Sequence, residues 1–269
     1  KLVTAIAAFN RLHPQFPLQD HVFKCDDRCV NIIANKGVKS IHPSVESIIF
    51  DSIKENKPLT MTRYNDGEWI ALLTIHDYNK YNSNLKNKIE GNGGREFVDE
   101  KMMPIIQNIP EYYMGISSQT IKHDWIMNKT YKYISKMKLY DGGIFSRWLV
   151  HNKFNDFLNL IRDRNVIVVG PKYLQKFEDF FTNFTLVHTG DHTKSWTEYD
   201  RIKEDTFRAI ETIDDIPIIL YCASFVGKVI LDDVYHKYEN VIQFDLGSVL
   251  DSFIKGSESR SWHKAGEKL

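Results

Sequence analysis

Asn165-Val-Ile-Val-Val-Gly-Pro171 is the stretch on which the fold turns. A run that is apolar at both even and odd positions has no face to give to water. That is the situation of a central parallel strand, covered by helices on both sides. Gly170-Pro171 ends it. Working outward, the same rhythm recurs. Tyr173 to Phe181 reads as an amphipathic helix, Phe184 to Val187 as a strand and Tyr199 to Ile213 as a helix. Pro217-Ile-Ile-Leu-Tyr-Cys222 is a second buried strand, followed by a helix to about Lys237 and a last strand, Asn240 to Phe244. Upstream, helices are expected over 45–56 (capped by Ser44), 97–109, 125–139 and 152–162, with strands at 59–64 and 112–116. Strands alternating with helices imply right-handed crossovers and an α/β fold. The expected architecture is a largely parallel sheet with helices on both faces. In such sheets ligands bind beyond the carboxyl ends of the strands. The loops after Val169, Val187, Cys222 and Phe244 all fall on that edge.

Composition narrows the function classes. The chain has 269 residues and 42% hydrophobic content, enough for a sizeable core. Lys+Arg and Asp+Glu both number 35, so there is no strong nucleic-acid signal. Mean hydropathy is −0.37, and no apolar run approaches the roughly 18 residues that span a bilayer. The apolar stretch within Lys1 to Phe9 lacks the pattern of a signal peptide. Three cysteines, Cys25, Cys29 and Cys222, make an odd count and argue against a disulfide framework. Cys25 and Cys29 have the spacing of half a zinc site or are two ordinary thiols. A reducing, cytoplasmic setting is the simplest expectation. The domain reading is an N-terminal extension over 1–44, an α/β domain over 45–255 and a C-terminal tail over 256–269 carrying Ser259-Arg-Ser-Trp-His263.

The stretch richest in chemistry is Thr60-Met-Thr-Arg-Tyr-Asn-Asp-Gly-Glu-Trp69. Asp66 and Glu68 flank one glycine. In an extended or turning chain, residues two apart point the same way. Two hard oxygen ligands that converge suit Mg2+ or Mn2+. Arg63 is suited to a bidentate phosphate contact. Asn-Asp-Gly is also ordinary turn chemistry. Asp141-Gly-Gly-Ile-Phe-Ser-Arg-Trp148 carries a second arginine, Arg147, fit for a diphosphate or for a surface ion pair. Gly91-Asn-Gly-Gly94 suggests a mobile loop, yet the Walker pattern is missing. Lys129, Lys132, Lys136 and Lys138 read as a solvated basic face.

The remaining candidates lie at the expected ligand edge. Ala223 to Lys228 opens a helix after a strand, aiming N–H groups into the cleft or simply packing well. His188 and His192 are acid/base groups or exposed loop histidines. Asp200 sits near a helix N-terminus, where the dipole alone favours it. Asp245 and Asp251 each suit a catalytic base, a ribose contact or a cap.

Arg63-Tyr-Asn-Asp-Gly-Glu68 resembles the Arg-aromatic-Gly-Asp-Gly-Glu signature of the GT-D-type bacterial glycosyltransferases. Phe145-Ser-Arg147 looks like that family's central Ser-Arg step. Lys194 to Ile202 looks like its loop-to-helix segment, and Ile219 to Leu231 like its strand–small-residue–helix element. Gln243-Phe-Asp-Leu-Gly-Ser248 is similar to its terminal strand and Asp-x-Gly step. The likeness runs in the same order over roughly residues 45 to 255. It departs at Asn65, where glycine is usual, and at Ser248, where a histidine often follows.

The resemblance implies a Rossmann-like, GT-D-like sheet and a metal-dependent glycosyltransferase. The donor would be a nucleotide-diphosphate sugar, most simply a UDP-sugar, and the acceptor a carbohydrate or glycoconjugate hydroxyl. Asp66 and Glu68 would hold Mn2+ or Mg2+ at the diphosphate. Arg63, Arg147, Lys194, Ser224 and Lys228 would bind the donor. Asp251, Asp245, His188 and Asp200 are the candidates for the base. Another Rossmann-like transferase, such as a SAM-dependent methyltransferase, and a non-catalytic binding domain are the alternatives. The first would call for a Gly-rich loop after the first strand, which Gly170-Pro171 replaces poorly.

Overall fold

The computed structural model describes residues 21–26, 29–34, 45–73, 94–116, 124–134, 136–150, 153–190 and 194–255. The expectations for Ser44, the Gly91–Gly93 part of the glycine loop, His192 and the 256–269 tail fall outside these residues. Near the N-terminus, β1 (His21–Asp26) and β2 (Cys29–Ala34) pair as a separate antiparallel hairpin.

Helix α1 (Val45–Lys54) leads to β3 (Leu59–Tyr64), and α2 (Asp66–Leu73) follows after one residue. A helical run, α3, covers 94–108. It is α over Gly94–Phe97, π over Val98–Met102 and α again over Met103–Asn108. Then come β4 (Tyr113–Ile116), α4 (Asp124–Ile134), β5 (Lys138–Asp141), α5 (Ile144–Val150) and α6 (Phe154–Ile161). The second half runs β6 (Asn165–Gly170), a 3-10 turn (Lys172–Asp179), β7 (Asn183–His188) and a 3-10 turn (Ser195–Glu198). It continues with α7 (Tyr199–Glu211), β8 (Ile218–Tyr221), α8 (Ser224–Lys237), β9 (Ile242–Asp245) and α9 (Asp251–Lys255).

The seven strands β3 to β9 form one sheet in the order β5-β4-β3-β9-β8-β6-β7. Every pairing is parallel. Residues along each strand alternate between two cores. Ile167, Val169, Ile219 and Tyr221 pack with α2, α3, α4, α7 and α8. Val166, Val168, Ile218, Leu220 and Phe244 pack on the other face with α1, α5 and α6. The expected three-layer arrangement is therefore present, and it explains why these strands read as uninterrupted apolar runs.

Two local expectations are corrected. The helix expected over 125–139 ends at Ile134, and Leu139 belongs to β5. Its last turn tightens to i→i−3 bonds, Lys136 N to Tyr133 O at 3.0 Å and Met137 N to Ile134 O at 3.2 Å, which unwind it. Leu139 and Tyr140 then face opposite cores, as strand residues do. Of the four lysines, only Lys129 and Lys132 lie on the helix. The segment expected as an amphipathic helix at 173–181 is a 3-10 turn. Its buried residues, Leu174 and Phe177, are three apart, which is the 3-10 period.

Candidate functional site

The first and last strands of the sheet, β3 and β9, are hydrogen-bonded neighbours. Their carboxyl ends, with that of β8, bring four stretches of sequence together. Arg63 sits near the end of β3, and α2 begins at Asp66. Asp245 ends β9, and α8 begins just past β8.

The Asp-Gly-Glu stretch is the first turn of a helix rather than an extended turn. Residues two apart on a helix are separated by about 200° around its axis. The premise that Asp66 and Glu68 point the same way is thereby corrected. Glu68 instead turns back, and its Oε2 accepts the backbone N–H of Asn65 at 3.0 Å. This is the reach of the glutamate in a capping box. Its Oε1 meets Lys228 Nζ at 3.1 Å. Lys228 is 2% exposed, and its Nζ also donates to Asp245 Oδ2 at 2.9 Å. Asp245 takes two further bonds, from Arg63 N at 3.3 Å and Gly247 N at 3.0 Å.

The charges in this cluster sustain one another. Burial alone would raise the Glu68 carboxyl, but the Lys228 ammonium and the Arg63 guanidinium outweigh it and hold the group below its ordinary value. Burial alone would lower Lys228, but Asp245 and Glu68 outweigh it and hold the amine above its ordinary value. Beside them, burial together with Asp251 and Asp245 pushes the Cys222 thiol well up, which disfavours the thiolate.

Two charged groups are left over. Arg63 is half-buried, its Nε is buried without a hydrogen-bond partner, and its guanidinium makes no ion pair among the described residues. A Cβ at Gly247 would overlap this guanidinium, and Gly247 has a φ of +57°, so glycine is needed there twice over. Asp66 is half-buried, and its side chain makes no hydrogen bond or ion pair among the described residues. Apart from its two chain neighbours, a Cβ at Gly67 would meet nothing within 4 Å, so the surface of α2 is open there.

The other expected residues are distributed more widely. Ser224 is exposed at the head of α8 with a φ of +50°, a strained value for a residue with a side chain. Asp251, 6% exposed, accepts a 2.7 Å bond from the Tyr173 hydroxyl. Arg147 pairs with Asp141 at the end of β5, two strands or about 10 Å from β3. His188 ends the edge strand β7, four strands or about 19 Å from β3. Lys194 and Asp200 follow on that side, and the Asp200 side chain is 89% exposed. The strand ends thus gather Arg63, Asp66, Glu68, Ser224, Lys228, Asp245 and Asp251, while His188, Lys194, Asp200 and Arg147 leave the sheet near its two edges.

Sequence reasoning missed Gly247 as the seat of Arg63, Asn65 as the cap of α2 and Asp141 as the partner of Arg147. The last two carried a signal, a glutamate three residues after Asn65 before an apolar run and a carboxylate six residues ahead of the arginine. A pocket of about 530 Å3 lies along α8 between α3 and Tyr199, one turn beyond Lys228. Two tyrosine–aspartate bonds stand beside it, Tyr112 to Asp232 at 2.8 Å and Tyr199 to Asp233 at 2.6 Å. None of the residues singled out from the sequence as site candidates lines it.

The sequence matches no protein-family model and no curated protein. Its backbone is similar to a solved structure described as the highly conserved domain of unknown function 1792, which has a distinct glycosyltransferase fold. The TM-score is 0.50 and the identity 15%, over 77% of this chain and 79% of that one. The fold is a Rossmann-like glycosyltransferase fold. The likeness is one of architecture. The cluster described above lies at the carboxyl ends of the strands, the edge at which open parallel sheets bind ligands. No helix among the described residues is long and apolar enough to cross a membrane.

Proposed function

We propose that the chain is a glycosyltransferase of the GT-D type. It moves a sugar from a nucleotide-diphosphate sugar, a UDP-sugar in the simplest case, to a carbohydrate or glycoconjugate hydroxyl. One observation carries the reading. A guanidinium and a carboxylate, Arg63 and Asp66, lie half-buried three residues apart at the central strand ends; the Arg63 Nε is buried without a hydrogen-bond partner, and neither side chain makes a hydrogen bond or ion pair among the described residues. Leaving a guanidinium nitrogen buried and unsatisfied is costly, so Arg63 is expected to serve a ligand, with the accessible Asp66 carboxylate beside it. A guanidinium suits a diphosphate, and a free carboxylate suits the cation that accompanies it.

The residues fit Mn2+ or Mg2+ in a limited way. Among the described residues no three His, Cys, Asp or Glu side chains gather as a closed cage. Cations bound with phosphates need only one or two carboxylates, the substrate supplying the rest. Asp66 meets that need. Glu68, the second member of the expected pair, already has a bond on each oxygen. When bound, the cation supplies charge stabilisation to the departing nucleoside diphosphate. Arg63 holds a phosphate beside it, and Ser224 with the first turn of α8 faces the same crevice.

Among the base candidates, Asp251 is favoured. Asp245 is spent on three donors, and His188 and Asp200 lie towards the β7 edge. The test is thermal unfolding with a panel of nucleotide sugars, with and without Mn2+. A ligand that binds only the folded state raises the melting temperature. A metal-dependent shift with one nucleotide sugar, lost in Asp66→Ala, is the expected result. No shift with any donor sinks the proposal.

A further inference from the structure

We infer that Lys228 is a positioning residue, a built-in cation that draws Glu68 and Asp245 away from the ligand and leaves Asp66 as the one carboxylate open to a metal ion. The inference rests on the donor-site reading given above. Lys228 reads in the sequence as a donor contact, but at 2% exposure it has no surface to offer a ligand. Its ammonium lies between Glu68 Oε1 at 3.1 Å and Asp245 Oδ2 at 2.9 Å. Those two side chains are themselves only 13% and 4% exposed. The remaining oxygens are also engaged, Glu68 Oε2 with Asn65 N and Asp245 Oδ1 with Gly247 N.

The lysine thus ties the first turn of α2, the interior of α8 and the end of β9 at one point. It does so from four residues beyond Ser224, one helical turn into α8, which directs it at the strand ends. Asp66 sits two residues before Glu68 and about 200° away around α2, out of the lysine's reach. Counting Arg63, Lys228, Asp66, Glu68 and Asp245, two positive charges face three negative ones. A divalent cation at Asp66 would then leave the crevice net positive, matched to a diphosphate.

The experiment titrates Mn2+ into the full chain in the presence of UDP, then of GDP and dTDP, and reads free Mn2+ by electron paramagnetic resonance. Asp66→Asn is expected to weaken binding about tenfold or more, and Glu68→Gln to change it by no more than about threefold. Adding Lys228→Met to Asp66→Asn is expected to restore most of the lost affinity, because Glu68 and Asp245 then become available. A purely structural lysine would give no such rescue. If Lys228→Met does not fold, Asp66→Asn and Glu68→Gln decide the matter by themselves. Equal loss in both single variants overturns the role of Lys228 and leaves the glycosyltransferase reading standing. No Mn2+ binding by the unaltered chain with any of the three diphosphates overturns both.

Discussion

Replacing Gly67 with alanine should move stability and ligand binding in opposite directions. Gly67 is the second residue of α2, and a Cβ there meets nothing within 4 Å. No clash opposes the change. Glycine within a helix costs about 0.5–1 kcal/mol relative to alanine, and the first turn lies at the lower end of that range. For a chain of this size 1 kcal/mol moves the midpoint by about 2–4 °C, so a rise of about 1–3 °C is expected. The new methyl group would stand in the space beside Asp66, where the proposed diphosphate and its cation belong. Loss of about tenfold in donor affinity, or about 1.4 kcal/mol, is the expected cost. Differential scanning fluorimetry gives the first quantity, and the ligand-induced shift of the same transition gives the second. Unchanged donor affinity with raised stability would mean that the open space is not the binding site. A fall in stability would mean that α2 does not begin where described.

Lys228→Met strands two buried carboxylates, and a loss of about 3–5 kcal/mol in urea unfolding is expected; a loss under about 1 kcal/mol would refute the buried ion triad. Acid should act on the same cluster. The folded-state value of Glu68 is held down, so its contribution is complete above the unfolded carboxyl value near 4.3 and disappears as pH falls through the lower folded value. Lys228 is held up, so its contribution is complete below about 10.4 and disappears as pH rises through the higher folded value. Urea midpoints measured across pH should therefore fall at both ends, and Glu68→Gln should remove part of the acid limb. Gly115→Ala places a Cβ 2.7 Å from both Gly142 Cα and the Tyr140 ring, so overpacking should cost about 1–3 kcal/mol by thermal unfolding. An unchanged midpoint there would contradict the close approach of β4 and its neighbouring turn.

The sheet was legible because β6 and β8 are apolar on both faces, and only burial between two helical layers asks for that. β5 was not legible. Lys138-Leu-Tyr-Asp141 is four residues long and follows a helix whose pattern runs smoothly into it. The site was half legible. Arg63, Asp66 and Asp245 stand where a strand-end reading puts them, because strand ends are set by the same apolar runs. What Glu68 does was hidden, since a carboxylate three residues after Asn65 is both a ligand candidate and a capping residue, and only the helix start decides. Lys228 was hidden for a similar reason. A lysine in an apolar helix signals a phosphate contact as readily as a buried counter-ion, until two carboxylates from distant stretches are found beside it.

The pairing of β3 with β9 has a consequence for how the protein comes into being. The bond from Arg63 N to Asp245 spans 182 positions of sequence. A nascent chain that has emerged only as far as α8 holds the arginine, the capped helix and the buried lysine, but leaves an open slot in mid-sheet. β9 must slide between β3 and β8 before either has its second neighbour. Such long-range closure is slow, and until it happens two unpaired strand edges stand open to other chains. The proposed donor site is therefore complete only when β9 has arrived, and a translation product cut short before residue 242 would be expected to lack it and to be prone to aggregate.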